Sequence, residues 1–288
     1  MAGQRELKKR LNSVRTAGQL AGAMRTVSAA KFSRVDSLKK NYAAYSEACL
    51  NMARLFGSEL TSSIVCGDRE APPCYVVIAG NRGLCGAYNI ELCDFAERTL
   101  KELDGRFRLV TIGRMAEAAM REAELTVSDT FTLPDVPSHD DAMKLLAYLR
   151  NGYTDGKHSS VHIIYQKFYN MLTQRPDCTQ VLPLTGDGSA EEKAADDDSS
   201  PLFIPDRATV LKNAAQALLD SRVYSILLEA ASGSQAATLM AMRTAYDNAE
   251  ESTAELESEL SRRRQSAVTA GVLETAADNS AIDELKGK

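Results

Sequence analysis

Leu239, Met242, Tyr246, Ala249, Thr253, Leu256 and Leu260 follow one another in alternating steps of three and four. That spacing keeps one stripe of a long helix against a partner helix. Asp206 can cap the start of this helix, with Pro205 just outside it, and no proline follows to stop it. One helix is therefore predicted from Asp206 to Ile282, about 110 Å long at 1.5 Å per residue. A compact domain of this chain length has a radius of gyration of only about 20 Å. The far part of such a rod needs cover for its apolar side chains. At the other end of the chain, residues 4–58 read as a second long helix. Its stripe is clear over Val35, Leu38, Tyr42, Tyr45, Cys49, Met52 and Phe56. It is looser over Leu7, Leu11, Val14, Leu20, Met24 and Val27. Gly18 and Gly22 weaken this stretch by about 1 kcal/mol each relative to alanine. They either let another backbone come close or are simply tolerated.

The pattern changes between these helices. Short apolar runs (Tyr75–Ala79, Phe107–Ile112, Thr126–Leu133, Val161–Tyr165, Cys178–Leu182) alternate with helical stretches (Tyr88–Leu103, Arg114–Glu122, His139–Arg150). This predicts an α/β domain with a partly parallel sheet. All eight prolines fall between the two terminal helices, as expected if only the middle is rich in loops. The reading is three parts: an N-terminal coiled-coil helix (1–60), a central Rossmann-like α/β domain (70–205) and a C-terminal coiled-coil helix (206–288). Gly186–Ser200 is a polar, acidic linker to which no site is assigned. The terminal helices are expected to pair antiparallel, because a compact domain returns the chain to near its exit point. The C-terminal one outruns its partner by about 30 Å. Ala267, Val268, Val272, Leu273 and Ile282 on that tip then require cover from another chain.

Composition adds constraints. The 44% apolar and 25% charged residues are ordinary for a folded, water-exposed protein, but tryptophan is absent. No run of about 18 apolar residues exists to span a bilayer. The basic start lacks the apolar segment of a secretory leader. The six cysteines form no C-x-x-C pair and are expected as reduced thiols. Residues 1–40 carry ten Lys or Arg against two acids, although the whole chain is −5. That basic stretch is a solvated face, a site for an acidic partner, or the neighbour of the acidic run Asp247–Glu259 on the other long helix.

Candidate chemistry is sparse. Gly80-Asn81-Arg82-Gly83-Leu84-Cys85-Gly86 lies between a strand and a helix, where α/β folds bind phosphate. Its G-x-x-G-x-x-G spacing matches neither the dinucleotide fingerprint nor the P-loop. A tight turn presenting Arg82, Leu84 and Cys85 to a partner suits it better. His158 and His162 have a zinc-like spacing but lead into a strand, where their nitrogens would not converge. His139 beside Asp140 and Asp141 reads as a helix-start residue. No nucleophile–base arrangement is recognisable, so no catalytic residue, metal or cofactor is expected. Arg262-Arg263-Arg264-Gln265 follows the acidic run. It is a solvated cationic patch or a ring of polar contacts to an encircling partner.

Three separated motifs carry a resemblance over the whole chain. Ser13-Val14-Arg15 with Ala23-Met24-Arg25-Thr26-Val27-Ser28-Ala29-Ala30-Lys31 resembles the opening helix of the ATP synthase gamma subunit. Arg82-Gly83-Leu84-Cys85-Gly86-Ala87-Tyr88-Asn89 resembles that family's R-G-L-C-G-[GA]-[FY]-N. Ala241-Met242, Asp247-Asn248-Ala249 and Arg264-Gln265-Ser266-Ala267-Val268-Thr269 resemble its closing helix. The resemblance implies a non-catalytic bacterial-type subunit, the central rotor shaft of the F1 sector. It would couple proton or other ion flow through the c-ring to ATP synthesis and hydrolysis on the beta subunits. Implied partners are three alpha and three beta subunits around one copy of this chain, the epsilon subunit and the c-ring. No nucleic acid and no substrate of its own are implied. The implied place is peripheral, on the cytoplasmic face of the plasma membrane. Met24, Arg25, Arg264, Gln265, Val268 and Thr269 would contact the alpha/beta hexamer, with Arg25 facing an acidic lever of beta. Arg82, Gly83, Leu84, Cys85 and Gly86 would belong to the foot that meets epsilon and the c-ring. The chain departs from the family pattern at Gly18, Gly22, Arg25, Gly271, Asp278 and Asn279, and it lacks the redox insert of chloroplast members. A coiled-coil adaptor without a motor shares the long helices but needs no ordered motifs. An α/β phosphate-binding enzyme would show itself in a nucleotide titration.

Overall fold

In the computed structural model, residues 2–61, 64, 67–103, 105–184 and 203–286 are described, the side chains of 2–3, 57–59, 61 and 274–286 excepted. The acidic linker 186–200, Cys66 and the side chains of Asp278, Asn279 and Ile282 lie outside the described part. The order of elements is α1 (Ala2–Thr61), β1 (Cys74–Ile78), α2 (Tyr88–Lys101), β2 (Arg108–Ile112), α3 (Arg114–Glu122), β3 (Asp129–Phe131), α4 (His139–Thr154), β4 (Val161–Phe168), β5 (Gln174–Leu182) and α5 (Arg207–Lys286). The fold is α/β. It forms two compact units: one from the stretches before Val27 and after Ala241, the other from Val27–Ala241.

In the larger unit the sheet order is β3-β2-β1-β4-β5. β1 pairs in parallel with β2 and β4, β2 in parallel with β3, and β4 antiparallel with β5. Every residue of β1 is buried, as in a parallel strand covered on both faces. Tyr75 and Val77 point to a layer built with Leu92, Ala96 and Leu100 of α2 and Ala116 and Met120 of α3. Cys74, Val76 and Ile78 point the other way. They meet Leu145, Leu146 and Leu149 of α4, Leu219, Val223 and Leu227 of α5, and Val35 and Cys49 of α1. The result is three layers, with the lower halves of both long helices built into the core.

Several elements differ from the pattern-based expectation. Only Asp129–Phe131 of the 126–133 stretch is strand. β4 and β5 are longer than expected and form a hairpin, closed by Thr173 N–H bonding to the Asn170 carbonyl at 3.3 Å. Pro176 lies within β5, which a sheet-edge strand tolerates. His139 opens α4 as expected, but the cap is Ser138. Its Oγ accepts from Asp141 N–H at 3.2 Å while the Asp141 carboxylate accepts from Ser138 N–H at 2.9 Å, a capping box. Asp206 caps α5 as expected, accepting the Thr209 N–H at 2.9 Å. These hydrogen bonds hold its carboxyl below the usual range.

The stripe of α1 differs in part: Leu7 and Leu11 are buried as expected, but two members of its looser start and one of its clearer later part are not. Leu20 and Val27 are 60% and 53% exposed, and Tyr45 is 45% exposed. The most buried column runs in steps of seven, with Leu7, Ala21, Ser28, Val35 and Cys49 buried and Val14 and Tyr42 half-buried between them. Its middle members are small, so the larger apolar residues beside them drew the pattern onto the wrong face.

Candidate functional site: a paired-helix surface and a stapled turn

In the smaller unit, α1 up to Thr26 and α5 from Met242 pair antiparallel. Leu7 and Leu11 pack with Leu256, flanked by Val14 and Leu260. One step along, Arg15 is ion-paired with Glu257. Next, a side chain built on Gly18 would lie 3.0 Å from the Ala249 Cβ, and one on Gly22 would lie 3.1 Å from the Tyr246 ring. Gly18 thus stands where the partner helix comes close, as one reading of it expected, whereas Gly22 makes room for a partner side chain, the Tyr246 ring. The pair Arg15–Glu257 also realises the expected juxtaposition of basic and acidic helices.

Met24 and Arg25 are half-buried at this level, with the Arg25 guanidinium 4.7 Å above the Tyr246 ring centre. Past Leu260 the pairing ends. Every residue from Ser261 to Leu273 is exposed, Val268 and Leu273 to 66% and 65%. Arg264, Gln265, Val268 and Thr269 lie here. Arg263 bridges back to Glu259 at 2.6 Å, and the Thr269 hydroxyl donates to the Gln265 carbonyl at 2.9 Å. The expected hexamer contacts therefore form two levels, Met24 with Arg25 and the group from Arg264, about 27 Å apart along the helix at 1.5 Å per residue.

The glycine turn belongs to the larger unit. Asn89, buried in the first turn of α2, staples it. Its Oδ1 accepts from Gly80 N–H at 3.0 Å, and its Nδ2 donates to the Arg82 carbonyl at 3.1 Å and meets the Cys85 Sγ at 3.1 Å. The Tyr88 hydroxyl donates to the Ala230 carbonyl at 2.9 Å and ties the same turn to α5. Cys85 thus faces inward, against the expectation that it is presented, and burial pushes its thiol up. Arg82 and Leu84 do face out. Leu84 has φ 65°, a left-handed conformation that leucine adopts at a cost of about 1–2 kcal/mol. Asn89 was visible only as the last residue of a motif. A short amide side chain in the first turn after a glycine loop is the signal that could have marked it.

Within the turn the Gly80 N–H is engaged by Asn89, while side chains built on Gly83 and Gly86 would meet nothing within 4 Å. Beside it, Met115 N–H donates to the Gly80 carbonyl and Gly113 N–H to the Phe131 carbonyl. The two histidines do not converge. His158 Nε2 is 2.8 Å from the Leu149 carbonyl, while the His162 ring stacks on Tyr75 at 4.9 Å.

A five-stranded α/β sheet is thus inserted in sequence between two long helices, whose outer stretches pair with each other. The family model described as ATP synthase matches residues 3–282. The ATP synthase gamma chain of Xanthomonas campestris is 30% identical over 295 residues, covering 98% of this chain and 100% of that one. The ATP synthase gamma chain of Rubrobacter xylanophilus is 27% identical over 287 residues, covering 98% and 99%. In fold the chain is similar to a chain of the Euglena gracilis mitochondrial ATP synthase (OSCP/F1/c-ring), with TM-score 0.66, 16% identity, and 98% and 95% covered. It is also similar to one from the Tetrahymena thermophila enzyme (central stalk/c-ring), with TM-score 0.59, 16% identity, and 78% and 99% covered. This chain belongs to the ATP synthase gamma chain family.

Proposed function

We propose that this chain is the central rotor shaft of the F1 sector of an F1Fo ATP synthase. It couples ion flow through a c-ring to ATP synthesis and hydrolysis at sites on the surrounding beta subunits. Three alpha and three beta subunits enclose the paired helices. The stretch 70–205 is the foot, and Arg82 to Gly86 belong to its meeting with epsilon and the c-ring, with Arg82 and Leu84 as the touching side chains. Among the described residues no helix is long and apolar enough to cross a membrane. This suits a subunit held at the cytoplasmic face of the membrane by its partners.

The observation that carries this reading is the α5 stretch from Ser261 to Leu273, helical and exposed throughout. A helix with no tertiary partner is marginal in water, since most helical stability in proteins comes from a packed face. Cover from other chains meets that need. An enclosing ring of catalytic subunits then senses which face of an asymmetric shaft it meets, and the face selects the favoured conformation. Met24, Arg25, Arg264, Gln265, Val268 and Thr269 make the contacts. Arg264→Ala combined with Gln265→Ala should lower coupled ATP synthesis by about thirtyfold, while the isolated chain melts as before; two lost polar contacts of about 1 kcal/mol each give that scale. ATP-driven proton pumping and synthesis at wild-type rates in that double variant would remove the contact role. Purification of the complex should return one copy of this chain per three of each larger subunit.

A further inference from the structure

The surroundings of Arg25 suggest how that side chain is aimed. The Tyr246 ring lies across the face of α1, and it can do so because position 22 has no side chain. A Cβ there would stand 3.1 Å from Cδ2 and 3.3 Å from Cε2 of the ring. Residues 22 and 25 are three apart and share one helix face. The ring seated over Gly22 therefore extends beneath Arg25, whose guanidinium lies 4.7 Å from the ring centre. At its far end the Tyr246 hydroxyl donates to Glu250 Oε1 at 2.7 Å, one turn along the same helix. Glycine opens the seat, glutamate fixes the ring, and the ring carries the cation on its face, the arrangement favoured by the aromatic quadrupole.

We infer that Tyr246 is a positioning residue for Arg25, holding its guanidinium ready for an acidic segment of the enclosing subunit. The inference rests on the shaft reading for the partner and on the paired-helix geometry for the positioning. An arginine on an open helix face samples many rotamers and loses that freedom on docking. Arg25 has part of that freedom removed in advance, because its charged end already has a flat surface to lie on. Tyr246→Phe keeps the surface and loses only the hydroxyl anchor, whereas Tyr246→Leu removes the surface and keeps an apolar side chain in the seam.

The experiment has two arms. In the isolated full-length chain, unfolding of Arg25→Ala, Tyr246→Leu and the double variant should be non-additive by about two- to fivefold in the unfolding constant, the range of an exposed cation–π pair. In the assembled complex, Tyr246→Leu should lower coupled synthesis about as much as Arg25→Ala, the double variant no further, and Tyr246→Phe should restore most of it. Additive unfolding overturns the positioning, whatever Arg25→Ala does in the complex. Non-additive unfolding with a silent Arg25→Ala in the complex overturns the docking role of Arg25 and leaves the seat as packing alone. Equal losses with Phe and Leu at position 246 would show that the hydroxyl, not the ring face, matters, and would also overturn it.

Discussion

Leu84 occupies a conformation that glycine adopts freely, and it holds an apolar side chain out in water. Both features work against the isolated fold. The proposed foot contact gives such a side chain a use, since strain of this kind clusters at functional positions. Leu84→Gly should leave the Asn89 staple intact and change the stability of the isolated chain by no more than about 1 kcal/mol, the relief at φ 65° offsetting the greater freedom of the unfolded glycine. The same variant should bind its foot partner more weakly, read as a faster dissociation rate. A strongly destabilised chain would mean that Leu84 serves the fold. Leu84 and Cys85 also show where residue-level reading stops. They are neighbours in one motif, and only the αL turn and the Asn89 amide determine that one faces out and the other in.

The long helices were legible because their signals are periodic and repeat many times. Leu256 is buried and Tyr246, Ala249, Thr253 and Leu260 are half-buried as the three-four spacing required. The alternating middle gave the sheet and its helices for the same reason. Legibility failed where packing needs small residues. Ala21 and Ser28 lie in the buried column yet carry little hydrophobic signal, so Leu20 and Val27 took their place in the pattern. It failed again at the β4–β5 hairpin, whose turn from Tyr169 to Leu172 contains no glycine and is largely apolar. α5 also invites a direct test at this scale. Since Ser261 to Leu273 are exposed throughout, Val268→Ser combined with Leu273→Ser should leave the unfolding free energy in urea within about 0.5 kcal/mol of the natural chain, the range of substitutions that touch no packed feature. Coupled synthesis should fall sharply in the same variant. A large loss of stability would show that the tip packs on its own chain.

Across the molecule, ionisable groups set the pH range of stability. Burial depresses His158 and His162, and hydrogen bonds from Ser138 and Thr209 depress Asp141 and Asp206. A depressed folded value means that the unfolded chain takes up protons first, so these groups favour the fold above their unfolded values and lose that contribution as pH falls. The histidine part should fade as pH drops below about 6.5 and the carboxylate part below about 4. Asp220, raised by burial, opposes them in acid. At the alkaline end burial pushes Cys93 and Cys178 up to about 11 and Tyr42 to about 12, so the fold weakens as pH rises beyond the ordinary thiol and phenol range. Urea midpoints should therefore be flat between about pH 7 and 8 and decline on both sides. His162→Asn should flatten the acid decline; an unchanged profile would assign that limb to other groups.

The antiparallel meeting of Leu7 and Leu11 with Leu256 has a temporal side. These partners are separated by nearly the whole chain, and a contact so distant in sequence closes late, after nearer contacts have shortened the intervening loop. The opening helix is thus made first and matched last. Throughout translation its apolar stripe lacks the mate that Leu256 supplies until that distant residue has been made.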